Sequence, residues 1–512
     1  MMPPMRNVIV QALKIFALVA ILPLVTLTPG HSTRTEAGGL VVTSTADSGF
    51  GSFRVALTTA ANNPGPDTIF FDPATFPPGA PVTIHAEANY IVEAPAASDP
   101  LTIDANGAGV IFDFTGVTEG EAAFHFRPDG PVTGITLRNF TIQNFAPDDH
   151  HAGHGVEIGF APTTVSNIYV LDMTIKNNQQ SALRFAADEL MSRVTIQDNS
   201  LTGNGQTGIR LFVGSMEDVI IQRNEISDNT SGGMELEAFD STGPSTVFVS
   251  QNTVTLNGGD GIFVSGEEHA NTARVTISRN ITSENGGLGI NLLGFGNEFA
   301  GVTENDIGDT DMGPNDLLNF PVFDGIGPSG IVGDACANCL VELFNSDFDE
   351  SGHGEGEDFV ADTIADGNGD FTFSGCGLRA NDAITATATD DRGNTSEFAL
   401  NYTLLETPPC ALTQGDLDCD GDVDSRDALM VFIYQAGAEQ LTQQPDCPSV
   451  GGSTQPVSVG PLGSFDLFGD IDCSDSVDVT DGLILLQYLS EVTLNPAPPG
   501  NCTPIGEPLP SP

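Results

Sequence analysis

Tryptophan is absent from this chain of 512 residues, lysine and arginine together number 16 against 69 aspartates and glutamates, and no cysteine precedes Cys336. The formal net charge of −53 repels phosphate backbones and excludes nucleic acid as a natural partner. Cations are the expected company. The run without cysteine divides the chain into a body of 335 residues and a C-terminal part that holds all eight cysteines. Long helix formers are scarce, whereas 58 glycines, 33 prolines and frequent Thr, Asn and Asp point to many short strands joined by turns.

The N-terminus begins with basic residues, Arg6 and Lys14, around an apolar run from Ile15 to Leu27 broken by Pro23, then small and polar residues to Ala37. Residues 1–37 read as a secretory signal, with an uncleaved anchor as the alternative. No other stretch is apolar enough to span a bilayer. The expectation is a secreted, extracellular or cell-surface protein with no membrane span after cleavage, in a compartment that permits disulfides.

The body repeats. VTIQDNSLTGNGQTGI from Val194, VIIQRNEISDNTSGGM from Val219, VFVSQNTVTLNGGDGI from Val247 and VTISRNITSENGGLGI from Val275 share one pattern with a period of 25 to 28 residues. An asparagine recurs at Asn178, Asn204, Asn229, Asn257 and Asn285, and a small residue before the next strand at Gly155, Ala182, Gly208, Gly233, Gly261 and Gly289. Apolar residues alternate over short runs, the period of a strand with one buried face, with no helical period between them. Such a unit cannot close its own core, but stacked rungs share one interior, and each turn asparagine can bond to the asparagine above. The pattern resembles the right-handed parallel β-helix superfamily over residues 40–300. The segment Val41 to Asp72, with Ser52-Phe53-Arg54-Val55-Ala56, is similar to a sequence that opens many exported bacterial β-helix proteins. It is expected to cap an end that would otherwise expose strand edges.

The superfamily includes polysaccharide lyases, glycoside hydrolases and adhesins, so chemistry must come from residues. Asp148-Asp149-His150-His151-Ala152-Gly153-His154-Gly155 gathers three of the eight histidines and two carboxylates in one loop, able to bind a metal or supply acid and base groups. Gly153-His154-Gly155 matches a motif of polygalacturonase-like hydrolases, without that family's aspartate segments upstream. The same tripeptide at Gly352-His353-Gly354 shows how readily it arises. Acids at Asp218, Asp228, Glu235, Glu237, Asp240 or Asp260 could form carboxylate pairs on successive rungs. Lyase chemistry would want a cationic base; beyond the signal the only lysine is Lys176, and Arg184, Arg210 and Arg223 are the nearest arginines. The candidate catalytic residues are Asp148, Asp149, His154, Arg184 and Arg210, weighed against surface ion pairing and a solvated loop.

Residues 301–327 read as a linker. Residues 328–405 then alternate as short strands and resemble the immunoglobulin-like or transthyretin-like β-sandwiches of exported bacterial proteins, expected here as a spacer or stalk. Asp347, Asp349, Ser351, Gly352, Glu355 and Asp358 fall at calcium-loop spacing, but Gly354 stands where an apolar anchor is needed, so a hairpin tip is expected. Cys336 and Cys339 have no second pair at zinc spacing, since Cys376 and Cys410 are single and far apart, and disulfides within the sandwich and to its neighbour, of open connectivity among these four, are the better reading.

After a second linker, 406–414, two segments align without a gap: GDLDCDGDVDSRDALMVFIYQAG from Gly415 and GDIDCSDSVDVTDGLILLQYLSE from Gly469. Calcium takes six to eight oxygens, and a twelve-residue loop offers them at positions 1, 3, 5, 7, 9 and 12. The first copy places Asp416, Asp418, Asp420, Asp422, Asp424 and Asp427 there. The second places Asp470, Asp472, Ser474, Ser476, Asp478 and Asp481, departing at positions 5 and 6, which weakens its expected affinity. Aspartate at position 12 followed by an apolar helix resembles a type I dockerin over residues 415–506, leaving a tail at 507–512. The resemblance implies bound Ca2+ and a cohesin-like scaffold as partner, although Ser425-Arg426 and Val479-Thr480 depart from the usual selector residues. A cysteine at loop position 4 and another about 28 residues on suggest bridges Cys419 to Cys447 and Cys473 to Cys502, each tying a tail over its own loop.

Three functions stand open to the sequence. One is binding of carbohydrate or another extracellular polymer along the β-helix flank. The second is polysaccharide cleavage by an enzyme delivered on its dockerin, and the third is a structural surface role.

Overall fold

The computed structural model describes residues 39–409, apart from 64, 93–99, 128–129, 160–163, 240–245, 267–273, 295–300, 311, 347–350 and 376. From 414 to 506 it describes 414–419, 423–437, 443, 447, 449–451, 468–471, 476–490 and 505–506. The signal expected at 1–37, the tail 507–512, Cys376, Cys410, Cys473 and Cys502 lie outside the described residues.

The rungs stack as parallel strands. One eight-stranded sheet runs in rung order from Val82–His85 through Thr174–Lys176 and Ser200–Thr202 to Ile281–Ser283. A larger, sixteen-stranded sheet makes up the rest of the wall. Register follows the repeat: Val194, Val219, Val247 and Val275 pair in turn, as do Ile196, Ile221, Val249 and Ile277. All eight are at most 2% exposed. At about 1.5–3 kcal/mol for each fully buried aliphatic chain, these internal stacks are the main favourable contribution.

The recurring small residues and asparagines each have a physical reason. A Cβ at Gly233 would lie 2.2 Å from Val254 Cγ1 and 2.5 Å from the Gly261 carbonyl oxygen, so the turn closes too tightly for a side chain. Asn178, Asn204, Asn229 and Asn257, all buried, and the half-buried Asn285 form a ladder in which each Nδ2 donates to the next Oδ1 at 2.9 to 3.0 Å. The same Oδ1 accepts the backbone N–H of the preceding rung, for example Asn204 N to Asn229 Oδ1 at 3.1 Å. A second ladder joins Asn199, Asn224, Asn252 and Asn280. These side chains satisfy turn amides that no strand pairing reaches.

The N-terminal end is plugged. The helix Phe53–Asn62, N-capped by Ser52, puts Phe53 against Phe71, Tyr90, Phe112 and Phe124. Arg54 pairs with Asp47 at 2.7 Å, lies over the Tyr90 ring at 4.4 Å, and donates to the carbonyls of Ala88 and Asn89. The Ser52-Phe53-Arg54 motif thus closes the solenoid.

The following module is not a detached stalk. Within the stretch read as a linker, the strand Val322–Gly327 pairs antiparallel with Gly330–Asp334, which pairs with Asp370–Phe373. A four-stranded antiparallel sheet centres on Leu340–Ser346, flanked by Gly356–Ile364 and Ala383–Thr389. Ile331, Val341, Leu343, Phe371 and Ile384 form a core between these sheets. Phe344 and Phe398 instead join the core of the solenoid.

Three glutamates of this module take the place of a missing rung. Glu342 accepts from Ser278 Oγ at 2.7 Å and Arg279 N at 3.1 Å. Glu355 accepts from Asn285 Nδ2 at 2.6 Å and Asn285 N at 2.8 Å, and so ends the asparagine ladder. Glu397 accepts from Leu292 N at 2.8 Å and Thr303 N at 2.7 Å. The expected stalk is a cap, because the last rung needs acceptors for its edge amides. Glu355 is therefore spent on the solenoid, and the strands Leu340–Ser346 and Gly356–Ile364 that flank the calcium-spaced segment pair antiparallel, while Asp347 and Asp349 lie outside the described residues. Cys336 and Cys339 are bonded to each other.

Farther on, the helices Ser425–Gln435 and Val479–Leu489 pack on each other around Leu417, Met430, Ile471, Ile484 and Leu485. Gly506 N donates to Gln414 O at 2.9 Å and Gly451 N to Phe468 O at 2.7 Å, so the tail of each copy meets the start of the other. Cys419 and Cys447 form a disulfide.

Candidate functional site

Two residues after each small turn residue, the strand faces outward. Parallel register stacks His125, Glu157, Arg184, Arg210 and Glu235 into one ladder, bounded by Ile91 and Phe263. Neighbours lie one strand spacing, about 4.8 Å, apart. Arg184 donates to Glu157 Oε1, Glu157 Oε2 is 3.4 Å from His125 Nε2, and Arg210 Nε is 3.3 Å from Glu235 Oε2.

Burial divides the ladder into two halves. His125 is 2% exposed, Glu157 1% and His154, which opens the same strand as Glu157, 6%. The side chains of Arg184 and Arg210 are 27% and 32% exposed. Among the buried side-chain atoms without a hydrogen-bond partner are His125 Nε2, His154 Nδ1, Glu157 Oε2 and Arg210 Nε. Three of these atoms stand in the long ion pairs just given, at 3.3 and 3.4 Å, which leaves His154 Nδ1 as the atom of the four with neither a hydrogen bond nor an ion pair among the described residues.

The electrostatics follow from this placement. Burial, then the charges of Arg184 and Arg210, push the His154 imidazole down to about 3. Burial with Arg127 and Arg184 pushes His125 down to about 4. Both rings are neutral at pH 7. Burial raises the Glu157 carboxyl above the usual carboxylate range, helped by Glu121 and opposed chiefly by Arg184.

Of the residues singled out in the sequence, His154, Arg184 and Arg210 come together and Asp148 and Asp149 do not. The two aspartates are exposed. Asp149 Oδ1 accepts from His151 N at 2.9 Å, and Gln179 Nε2 donates to the Asp149 carbonyl at 3.0 Å, so the pair shapes the loop leading to His154. Arg223 pairs with Asp198 at 2.8 Å on the surface. His125 and Glu157 were missed. Their signal was available, because both stand two residues after a small residue, Ala123 and Gly155, as Arg184 and Arg210 stand after Ala182 and Gly208.

A second cluster lies in the paired loops. One carboxylate oxygen each from Asp416, Asp418 and Asp427 fall within 4.8 Å of one another, and all three residues are buried. Asp427 Oδ1 accepts from Leu417 N at 2.5 Å and Oδ2 from Asp424 N at 2.7 Å, while Arg426 Nε approaches Asp418 at 2.9 Å. Like charges buried together need a cation, and an all-oxygen set suits a hard divalent one. In the second copy Asp470 and Asp481 are buried, and Asp481 accepts from Ile471 N and Asp478 N at 2.7 Å. Ser476 is exposed, and Asp424 and Asp478 cap their helices. Asp420, Asp422, Asp472 and Ser474 lie outside the described residues.

Residues 129–307 match the family model of the right handed beta helix region. That match gives the solenoid its hand and covers most of the ladder. No curated protein matches the chain. Among solved structures, the chain is similar to pectate lyase Pel9A, at 13% identity over 49% of this chain and 70% of that one, with a TM-score of 0.32. It is also similar to the Dettilon tailspike protein, at 12% identity over 70% and 89% of the two chains and a TM-score of 0.23. The enzymatically active domain of bacteriophage CBA120 tailspike protein 2 follows, at 9% identity over 70% and 69% and a TM-score of 0.16. Among the described residues no helix is long and apolar enough to cross a membrane.

Proposed function

We propose that the protein is exported and holds an anionic polysaccharide against the outer face of its solenoid, at Arg184 and Arg210. The observation that carries this reading is the stacking of two partly exposed arginines on adjacent rungs of a chain with only 16 cationic residues. Like charges one strand spacing apart repel, and Glu157 and Glu235 sit on their far sides. A carboxylate or sulfate between the two guanidiniums would relieve that repulsion through charge-assisted, fork-shaped hydrogen bonds. The acidity of the rest of the molecule repels polyanions and confines them to this stripe.

Electrophoresis through gels containing polygalacturonate, alginate or a neutral glucan tests it. The acidic polymers should retard the protein and the neutral one should not, and the double variant Arg184→Ala, Arg210→Ala should migrate freely. Unretarded migration of the wild type in every acidic gel would refute the reading.

In the same proposal the antiparallel module is an immunoglobulin-like or transthyretin-like sandwich, and the paired loops are a dockerin-like module loaded with Ca2+. Asp416, Asp418 and Asp427 would hold the ion in the first loop, joined by the remaining loop oxygens. The module would dock on a cohesin-like scaffold or fold back on the body outside the cell. Its buried carboxylates support the ion, and the ion would supply cohesion rather than chemistry.

A further inference from the structure

We propose that Arg426 competes with the calcium ion for the first of the paired loops, so that this loop holds together when calcium is scarce and loads only when calcium is plentiful. The inference rests on the calcium reading of Asp416, Asp418 and Asp427 given above. It starts from the distribution of charge. Between residues 393 and 512 the chain carries a single lysine or arginine, Arg426. That lone cation sits on a carboxylate of the calcium set, with Arg426 Nε 2.9 Å from Asp418 Oδ2.

Local structure sets this placement. Arg426 is the second residue of the helix Ser425–Gln435, and its N–H donates at 2.5 Å to Oδ1 of the cap Asp424. The next residue, Asp427, is buried, and its Oδ1 accepts from Leu417 N at 2.5 Å and from Asp418 N at 3.3 Å. One turn of helix thus supplies both a carboxylate for the ion and a guanidinium for the neighbouring carboxylate. The side chain of Asp418 is 3% exposed and that of Arg426 44%, so the guanidinium reaches from solvent to a buried acid.

The consequences are electrostatic. Asp416, Asp418 and Asp427 repel one another, and Arg426 offsets part of that repulsion without any ion. Calcium offers two charges, but it must draw on a carboxylate that already holds a positive one. By Coulomb's law at the high effective dielectric of a half-exposed site, one such charge a few ångströms from a divalent ion weakens binding by about 10–100-fold. The second loop is weakened by other means. Ser474 and Asp475 stand there at positions 5 and 6, and uncharged Thr480 occupies the place of Arg426. Arg426 therefore brings the complete loop closer in affinity to the incomplete one, toward the weak range of extracellular calcium modules.

Calorimetric titration of the full chain with calcium chloride tests this, in the wild type, Arg426→Gln, Arg426→Lys and Asp427→Ala. The site lost in Asp427→Ala is the first loop. Arg426→Gln should tighten that site by about 10–100-fold, Arg426→Lys should stay within about threefold of the wild type, and the gap should narrow as salt is raised. Should Arg426→Gln fail to fold, Arg426→Thr, with the residue of the second copy, carries the same expectation. Melting curves add a change of sign that a merely structural ion pair would not produce. Arg426→Gln should lower the transition of the paired loops in chelator and raise it in millimolar calcium. Unchanged or weakened calcium binding in Arg426→Gln, with the site still lost in Asp427→Ala, overturns this proposal alone. A wild type that takes up no calcium and melts alike with and without chelator overturns the calcium reading as well.

Discussion

Glu342 offers a test of the cap that can be worked through in numbers. It is 1% exposed between the antiparallel module and the last rung, and burial raises its carboxyl from an ordinary value of 4.5 to about 7. The hydrogen bonds from Ser278 and Arg279 oppose the shift, Asp362 adds to it, and the Arg279 charge opposes it. A raised acid binds its proton more tightly in the folded state. Its contribution to stability is fully present below pH 4.5 and is lost as pH rises toward 7. A shift of about 2.5 units at 1.36 kcal/mol per unit gives a loss of about 3 kcal/mol across that window.

The variant Glu342→Gln keeps the shape and cannot titrate. Unfolding free energies of wild type and variant, from urea titrations of the full chain in calcium between pH 4.5 and 8, should therefore diverge. Wild-type stability minus variant stability should fall by about 3 kcal/mol as pH rises, then level off. Glu397, also raised to about 7 by burial beside Asp260, is present in both proteins and cancels in the difference. Parallel curves would refute the claim that a proton is taken up at this interface.

Three further outcomes are expected. Asn229→Ala removes the acceptor of Asn204 N and one of three acceptors of Asn204 Nδ2, which keeps the Ile175 and Thr202 carbonyls, and the one orphaned buried donor should cost about 1–3 kcal/mol in chemical denaturation; a loss below about 0.5 kcal/mol would mean the ladder is ornamental. Gly233→Ala should destabilise by about 1–3 kcal/mol because its Cβ meets Val254 and the Gly261 carbonyl, while Gly301→Ala, with open space around it, should leave the melting temperature unchanged. Chelation, or Asp427→Ala, should lower a calorimetric transition of the paired loops and leave that of the solenoid in place, and a melt indifferent to calcium would count against an ion at Asp416, Asp418 and Asp427.

The solenoid was legible because its constraints repeat. Asn204 and Gly208 recur one rung on as Asn229 and Gly233, and the same hydrogen bonds and close contacts recur with them. The cap was hidden because its residues do not repeat and belong to a module with its own strand pattern. Leu340–Ser346 did carry a trace: Val341 and Leu343 face one core, and Phe344, two residues after Glu342, faces the other, so both sides of the strand are buried. The candidate site lay between these cases. Arg184 and Arg210 were visible as scarce cations, whereas His125 and Glu157 fall in rungs of 32 and 27 residues' spacing, outside the best-aligned repeats. Asp148 and Asp149 drew attention by crowding, yet crowding in a loop reflects solvent exposure as readily as chemistry.

The two ends of the solenoid bear on which of its functions can be true. A bare β-helix end exposes a row of backbone donors and acceptors to which another copy could add. Here the first end is covered by the Phe53–Asn62 helix with Arg54, Asp47 and Tyr90, and the last by Glu342, Glu355 and Glu397. Carboxylates on the terminal amides mimic a further rung without offering its other edge, so stacking cannot continue past them. A structural role through end-to-end growth would need that edge open. With both ends spent on closure, the lateral wall is what the solenoid presents, and on that wall Arg184 and Arg210 are the neighbouring cations that an acidic polymer would meet.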